Sequence, residues 1–279
     1  MSIKVAAWNA EGRLGRIATK DRGAPEHIVS EILRIDADVL FVADAFHQPV
    51  EATIDAALER AGYRWLDVQY DDEGVSADHR QPNSRFLTKL DVINHSTTRY
   101  GGVRSLQTLT VRSTGDGELI RFIGVHLDDR SDALRHRQVD AMLADIDQCK
   151  DAVVLLGDFN AAHSDQLSAR ILRSRIIQTV FRVMPLSLVQ SLGHRLGEMC
   201  SGIIMQRFSG HPDLREVDEK RHSTMTLKTL GLLFLPSLPI IQLDHVFVSK
   251  QLCHTGIIVE KDGGSDHRAI RTTVHVAKY

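Results

Sequence analysis

The sequence has few cysteines, only three in 279 residues, and they are far apart. Cys149, Cys200 and Cys253 are odd in number and lack the close spacing of a metal motif, which argues against both a disulfide framework and a thiolate zinc site. Isolated cysteines of this kind are typical of reduced thiols. We therefore predict a cytoplasmic protein.

The sequence also lacks an apolar run long enough to span a membrane. The nearest candidate, residues 230–243, is interrupted by Pro236 and Pro239, so stable membrane insertion is not expected. No linker rich in proline, glycine or serine divides the chain, and no repeat is present. We predict a single domain over residues 1–279.

The formal net charge is only −2, with neither sign in large excess. A near-neutral chain weakly disfavours tight, sequence-independent binding to long nucleic acid, which requires a basic surface. Nucleic acid nevertheless stays among the candidate partners. The hydrophobic content of 43% is sufficient for a large core, and the sequence makes no prediction about oligomeric state.

Strand and helix patterns alternate along the chain. We predict strands at residues 3–8, 39–42 and 63–70, a hairpin of residues 103–112 and 118–127, and a loop at residues 71–83. Helices are predicted from Pro25 onward and at residues 50–61, 132–149 and 166–180. Further strands are predicted at residues 152–156, 246–249 and 269–276. This pattern favours two mixed sheets packed face to face with helices outside.

The most informative feature is an apolar run that ends in two polar residues. Residues 152–156 are continuously apolar, which predicts a strand buried on both faces. Gly157 then lets the backbone turn, and Asp158 and Asn160 follow two positions apart, on one side of an extended chain. Such a strand end can hold a metal ion, a water molecule or a phosphate group.

Other apolar runs end in the same way. The polar residues that follow them are Asn9, Asp44, His126, Asp244 and the neighbours Asp266 and His267. Carboxylate and amide oxygens suit a hard divalent cation such as Mg²⁺, whereas the lack of a His/Cys cluster in the sequence argues against structural zinc. A metal ion with imidazoles and carboxylates is suited to in-line attack on phosphorus.

Six motifs occur in an order that identifies a family resemblance. They are Ala7-Trp8-Asn9, Val42-Ala43-Asp44, Val125-His126-Leu127, Gly157-Asp158-Phe159-Asn160, Leu243-Asp244-His245-Val246-Phe247 and Ser265-Asp266-His267. Together they resemble the endonuclease/exonuclease/phosphatase superfamily, whose fold is that of deoxyribonuclease I. The resemblance implies an α+β fold, a four-layer α/β/β/α sandwich of two mixed sheets. It also implies a hydrolase that cleaves phosphodiester or phosphomonoester bonds with Mg²⁺ or Mn²⁺.

The resemblance also implies roles for single residues. Asn9, Asp44 and Asp266 would lie on the metal side of the site. Asp158 would orient or deprotonate the attacking water, and Asn160 would hold that water or the phosphate. His267, oriented by Asp244, and His126 would contact phosphate oxygens. The choice between Asp158 and His267 as proton acceptor stays open.

One position departs from the family pattern. Ala43-Asp44 stands where the family has glutamine followed by glutamate, so the ligand is one methylene shorter. Mg²⁺ requires tight octahedral geometry, and we therefore predict weakened Mg²⁺ affinity without loss of activity.

Other interpretations also stay open. Asn9 alone could be a turn residue, and His126 could be a core histidine on the strand face of Ile120 and Phe122. His245 is interpreted as an ordinary polar residue.

Alternative functions follow from the same motifs. The protein could be a DNA or RNA nuclease of this fold, or a catalytically weakened binding or scaffold member, which the change at Asp44 favours. A phospholipid head group or another small phosphate ester is also a candidate substrate. Residues 184–239 match the family poorly and are predicted to be an atypical insertion. If this segment folds over the site, it would select the substrate.

Overall fold

The computed structural model describes residues 2–10, 25–46, 52–66, 83–98, 106–113, 117–129, 131–175, 178–179, 197–226, 239–261, 265 and 267–277. In chain order, the strands are β1 (Ser2–Asn9), β2 (Val39–Phe46), β3 (Arg64–Trp65), β4 (Asn83–Thr88), β5 (Val92–Thr98), β6 (Leu106–Arg112), β7 (Leu119–His126), β8 (Ala152–Asp158), β9 (Leu214–Glu216), β10 (Met225–Thr226), β11 (Pro239–Ile241), β12 (Asp244–Ser249), β13 (Leu252–His254), β14 (Ile258–Val259) and β15 (Ile270–Val276). The helices are α1 (Pro25–Ile35), α2 (Ala52–Arg60), α3 (Asp132–Gln148), α4 (Leu167–Arg173) and α5 (Ile203–Ser209).

Two large sheets contain most of these strands. The first has the order β13-β15-β1-β2-β4-β3, with β14 paired to β15, and the second has the order β5-β6-β7-β8-β12-β9. Each sheet is mixed, because β1 pairs parallel with β2 and β7 pairs parallel with β8, while their other neighbours pair antiparallel. Strands β10 and β11 form a separate two-stranded sheet.

The inner faces of the two sheets form one apolar core. Val5 and Phe41 of the first sheet belong to the same buried cluster as Phe122 and Val154 of the second. Fully burying one such side chain stabilises the fold by about 1.5–3 kcal/mol. At Gly124 on β7, a Cβ atom would lie 2.3 Å from the Phe41 ring, so only glycine fits where the sheets meet.

The outer faces of the sheets are covered by helices. Because successive side chains of a strand point to opposite sides of the sheet, Leu40 faces outward and shares a cluster with Ile32 of α1. On the second sheet, Leu155 packs in a cluster with Met142 of α3 and Phe208 of α5. The molecule is therefore a four-layer sandwich, and the predicted α+β class is confirmed.

Several predicted elements are confirmed. The hairpin is present as β6 and β7, which pair antiparallel. The helix predicted at residues 50–61 is α2, and the one predicted at residues 132–149 is α3, whose first turn is capped by the Ser131 side chain. None of the described helices has both the length and the apolar character needed to cross a membrane.

Other predicted elements differ from the structure. The helix predicted at residues 166–180 is interrupted, because Ser174 leaves the helical conformation at φ −58° and ψ 144° and ends α4. Helical residues resume at Arg175 and at residues 178–179. The strand predicted at residues 63–70 is described only as Arg64–Trp65, and residues 67–82, which include most of the predicted loop, lie outside the described residues. Strands β4 and β5 were not predicted.

The predicted insertion at residues 184–239 is described only between residues 197 and 226 and at Pro239. The described part supplies α5 and also β9, which pairs with β12 in the second sheet. This part of the segment is therefore built into the sandwich. The assignment of the whole segment as an insertion stays a prediction.

Candidate functional site

Polar residues continue the inner faces of four strands at one end of the sandwich. On β8, for example, Val154 and Leu156 face the core, and the next residue on that face is Asp158. The corresponding residues are Asn9 on β1, His126 on β7 and Asp244 on β12. All four are buried, with at most 4% of their surface exposed. The alternation that builds the core therefore also places these side chains in one cluster.

Strand register brings three of these residues side by side. Asp158 lies opposite His126 across the β7–β8 pair and opposite Asp244 across the β8–β12 pair. Gly157 permits this arrangement, because a Cβ atom there would lie 2.0 Å from the Val125 carbonyl oxygen, and its φ of 140° disfavours other residues.

The Asp158 carboxylate is held from two directions. The Asn9 side-chain amide donates to its Oδ2 at 2.9 Å, which joins the two sheets across the sandwich. The Asn160 backbone N–H donates to its Oδ1 at 2.8 Å. Asn160 has a φ of 45°, and its Nδ2 donates to the Leu127 carbonyl at 2.9 Å. The carboxylate therefore has a fixed orientation.

His267 and Asp244 form a buried pair. The His267 Nδ1 lies 2.7 Å from Asp244 Oδ2, and Nε2 then lies 4.0 Å from Asp158 Oδ2. Ser265 positions this segment, since its hydroxyl donates to the Asn9 carbonyl and accepts the His267 backbone N–H. An acceptor at Nδ1 fixes the tautomer and directs Nε2 toward Asp158.

The His126 ring lies between two carboxylates. Its Nδ1 is 3.7 Å from Asp44 Oδ1, and its Nε2 is 3.7 Å from Asp158 Oδ2. Asp44 reaches this position through an irregularity in the β2–β4 register after Val42 and a left-handed backbone with φ of 49°. His126 continues the strand face of the core and also lies beside these two carboxylates. Its functional role stays a prediction.

Burial raises the pKa of Asp158, and the Asp244 carboxylate adds to the increase, while His267 and His126 act in the opposite direction. An ionised carboxylate in this place therefore depends on nearby positive charge, from an imidazolium or a cation.

The donor atoms of the site fit a divalent cation. Asn9, Asp44 and Asp158 carry amide and carboxylate oxygens, the ligands that hard cations prefer. Asp158, Asp244 and His267 each supply one possible ligand atom, and these three atoms lie within 4.8 Å of one another. Asp244 Oδ1 is buried and has no hydrogen-bond partner among the described residues, so it could accept a bond from a ligand or water.

The structure brings together seven of the eight residues predicted for the site. Asp266 lies outside the described residues. The contribution of Thr224 was not predicted: its hydroxyl oxygen lies 3.1 Å from the backbone nitrogens of Leu243 and Asp244 and fixes the start of β12. No local sequence pattern reveals this contact, because it joins residues 20 positions apart.

The chain matches the endonuclease/exonuclease/phosphatase family over residues 6–267. No curated protein sequence matches it significantly.

Solved structures share the fold over nearly the full chain. An endonuclease/exonuclease/phosphatase from Bacteroides vulgatus has a TM-score of 0.68 and 11% identity, covering 99% of this chain and 100% of that one. A mannosyl-6-phosphatase from Bacteroides thetaiotaomicron has a TM-score of 0.66 and 13% identity, covering 98% and 99%. The catalytic domain of human Nocturnin has a TM-score of 0.60 and 16% identity, covering 99% and 94%. At these identities the likeness establishes the fold and does not identify a substrate.

Proposed function

The chain belongs to the endonuclease/exonuclease/phosphatase family and is a hydrolase of phosphate esters, and we propose that Asp158 activates the attacking water. The observation that carries this proposal is the fixed Asp158 carboxylate, whose Oδ2 lies 3.7 Å from His126 Nε2 and 4.0 Å from His267 Nε2. If an oxygen atom lay 2.8 Å from both Asp158 Oδ2 and His267 Nε2, the angle at that oxygen between its two contacts would be about 90°. A single water or phosphoryl oxygen can therefore contact both groups.

In this proposal His267 stabilises the charge that develops on the phosphoryl group. Asp244 accepts the Nδ1 hydrogen, so a protonated His267 donates from Nε2 to a phosphoryl oxygen. Asp158 accepts the proton of the attacking water. Asn160 holds Asp158 through its backbone N–H and contacts the water or the phosphate.

The proposed ion is Mg²⁺ or Mn²⁺, held by Asn9, Asp44 and Asp266. When bound, it would neutralise negative charge on the phosphoryl oxygens. Asp44 is shorter than glutamate, and a more tolerant ion such as Mn²⁺ should suit it better than Mg²⁺.

The proposed substrate is a phosphodiester, with a phosphomonoester as the alternative. Two imidazoles, His126 and His267, lie beside the same Asp158 oxygen. One can bond a phosphoryl oxygen while the other donates to the oxygen of the leaving group, which diesters and monoesters alike release as an alcohol. A protein that only bound its ligand would not need both imidazoles next to this carboxylate.

Hydrolysis of two chromogenic esters tests the proposal. Bis-p-nitrophenyl phosphate reports diesterase activity, and p-nitrophenyl phosphate reports monoesterase activity, each with Mg²⁺ or Mn²⁺. We expect turnover of the diester that EDTA abolishes. In Asp158→Asn, turnover should fall by about 10²- to 10⁴-fold, the range typical of a lost general base.

Asp91→Asn is the matched control, because the side chain of this aspartate is 79% exposed and forms a surface ion pair with Arg64. It should retain full activity. Absence of turnover of both esters by a folded wild-type protein would favour the non-catalytic binding protein. Full activity in Asp158→Asn would show that Asp158 is not the general base. Faster turnover of the monoester would show that the preferred substrate is a phosphomonoester.

We also propose that the protein acts in the cytoplasm. Cys149, Cys200 and Cys253 are free thiols in the structure, which suits a reducing compartment. Fractionation of cells that express the tagged protein would test this, and recovery from a secreted or membrane fraction would contradict it.

A further inference from the structure

A second cluster of ionisable side chains lies away from the candidate site. Glu216 ends β9, His245 is the second residue of β12, and His163 follows β8. Ligand atoms of the three residues lie within 4.8 Å of one another. His245 had been interpreted as an ordinary polar residue, and the three come together only through the fold.

The cluster and the catalytic residues lie on opposite faces of the second sheet. Asp244 and His245 are successive residues of β12, so their side chains point to opposite sides. His245 packs against Phe159 and Phe247 on the outer face, with ring centroids 5.4 and 6.3 Å apart. The two groups of residues therefore share backbone and no side chains.

The hydrogen-bond geometry of His245 requires a positive species next to Glu216. His245 Nε2 lies 3.0 Å from the Ala161 carbonyl oxygen, which can only accept, so Nε2 carries a hydrogen. The other nitrogen, Nδ1, lies 2.7 Å from Glu216 Oε1. Two acceptors at 2.7 Å repel unless a proton or a metal ion lies between them.

His163 repeats this arrangement on the other carboxylate oxygen. Its Nε2 lies 2.6 Å from Glu216 Oε2. Two imidazole nitrogens thus face one carboxylate. The hydrogen bond from His245 to Ala161 is the kind that orients metal-bound histidines in proteins.

We propose that His163, Glu216 and His245 bind a transition-metal dication of the zinc type, separate from the catalytic ion. Two imidazoles and a carboxylate form a ligand set that Zn²⁺ accepts, with water as the fourth ligand. The His163 and Glu216 side chains are 8% and 12% exposed, so the solvent reaches this edge of the cluster.

The adjustment required is small. Zinc binds these ligands at about 2.0–2.2 Å, which separates neighbouring ligand atoms by about 3.3 Å in a tetrahedral site. The two imidazole nitrogens lie 2.6 and 2.7 Å from different Glu216 oxygens. The nitrogen that faces the metal-bound oxygen would move away from it by about 0.6–0.7 Å as the metal replaces the protons. The bound metal would join β9, β12 and the segment after β8.

Calorimetric titration of the metal-stripped full chain with Zn²⁺ tests this proposal. Measurements in two buffers of different ionisation enthalpy report the protons released. We expect one Zn²⁺ per chain with proton release in Asp44→Asn, which impairs the catalytic ion site, and at least this one Zn²⁺ in the wild type. Absence of zinc binding in Asp44→Asn would overturn the proposal.

Two substitutions of His163 separate metal binding from hydrogen bonding. His163→Gln keeps an N–H donor for Glu216 but is a poor ligand, whereas His163→Cys loses that donor and can bind Zn²⁺. We expect His163→Gln to weaken zinc binding by about tenfold or more and His163→Cys to retain it. His136→Gln, on the partly exposed face of α3, is the control and should bind normally.

Equal zinc binding in wild type and His163→Gln would overturn the proposal. Visible absorption of the Asp44→Asn chain loaded with Co²⁺ supplies a measurement that does not depend on how the His163 variants fold. Intense bands of tetrahedral Co²⁺ support the site, and a spectrum like that of aqueous Co²⁺ contradicts it.

Discussion

Replacing Asp244 with asparagine removes one negative charge beside His267 and keeps the size of the side chain. In the wild type, the Asp244 carboxylate is fully buried and accepts from His267 Nδ1 at 2.7 Å. If His267 acts as a cation toward the phosphoryl group, the charge on Asp244 stabilises the state in which the reaction occurs. The asparagine oxygen can still accept the hydrogen, but without the charge.

The size of the effect follows from the type of hydrogen bond. A bond to a charged group contributes about 1.5–3 kcal/mol, compared with about 1 kcal/mol for a neutral one. The difference of about 0.5–2 kcal/mol corresponds to a fall in kcat/KM of about 2- to 30-fold. The new amide nitrogen would be buried where Asp244 Oδ1 has no partner among the described residues, which should also destabilise the fold by about 1–3 kcal/mol.

The assay is the pH profile of kcat/KM for the diester, with urea unfolding of the same variant to measure stability separately. We expect the alkaline limb of the profile to move to lower pH, because loss of the anion favours neutral His267. Asp213→Asn, at an exposed position, is the matched control and should change neither rate nor profile. An unchanged kcat/KM, with an unmoved alkaline limb, would refute the proposed role of the pair.

Three further results are expected. Asp44→Glu restores the methylene missing from the family pattern and should lower the Mg²⁺ concentration at half-maximal activity; an unchanged metal titration contradicts this. Gly157→Ala places a Cβ 2.0 Å from a carbonyl oxygen and should destabilise the protein to urea by about 3 kcal/mol or more, whereas Gly117→Ala, with φ of 72° and no close atom, should cost about 1 kcal/mol. Burial raises the pKa of Glu216, but hydrogen bonds from His163 and His245 outweigh it and lower the pKa from 4.5 to about 2. The ionised carboxylate should therefore contribute up to about 3 kcal/mol to the free energy of unfolding above pH 4.5, and this contribution is lost as the pH falls toward 2. With EDTA present, the stability of Glu216→Gln to urea should therefore change less than that of the wild type between about pH 5 and 3, and identical slopes would contradict the ionised carboxylate.

Much of the candidate site could be predicted because it continues a repeating pattern. The inner row of β8 runs from Val154 through Leu156 to Asp158, and period-two alternation places each of these side chains on one face. The same rule applies to Asn9 and His126. Once two sheets pack on their inner faces, these polar ends must meet at the edge of the core.

The features that were missed do not arise from a local pattern. Strand β5 is at the edge of the second sheet and mostly of intermediate burial, so its sequence lacks the apolar and polar alternation of a strand with one buried face. Glu216 meets His163 across 53 positions and His245 across 29, in contacts set by the pairing of β9 with β12. Periodicity cannot predict such contacts, because they depend on which strands become neighbours.

Burial of Asp158 and Asp244 on adjacent strands would be unfavourable without compensation, because each carboxylate loses water and the two repel each other. The fold meets this cost by placing His267 and His126 against Asp158 and by directing the Asn9 amide to the same oxygen. These contacts also orient the carboxylate toward the position where water or a phosphoryl oxygen would lie. The interactions that allow the charges to be buried are therefore the ones from which we derive the chemistry, and stability and activity should respond together when any of them is removed.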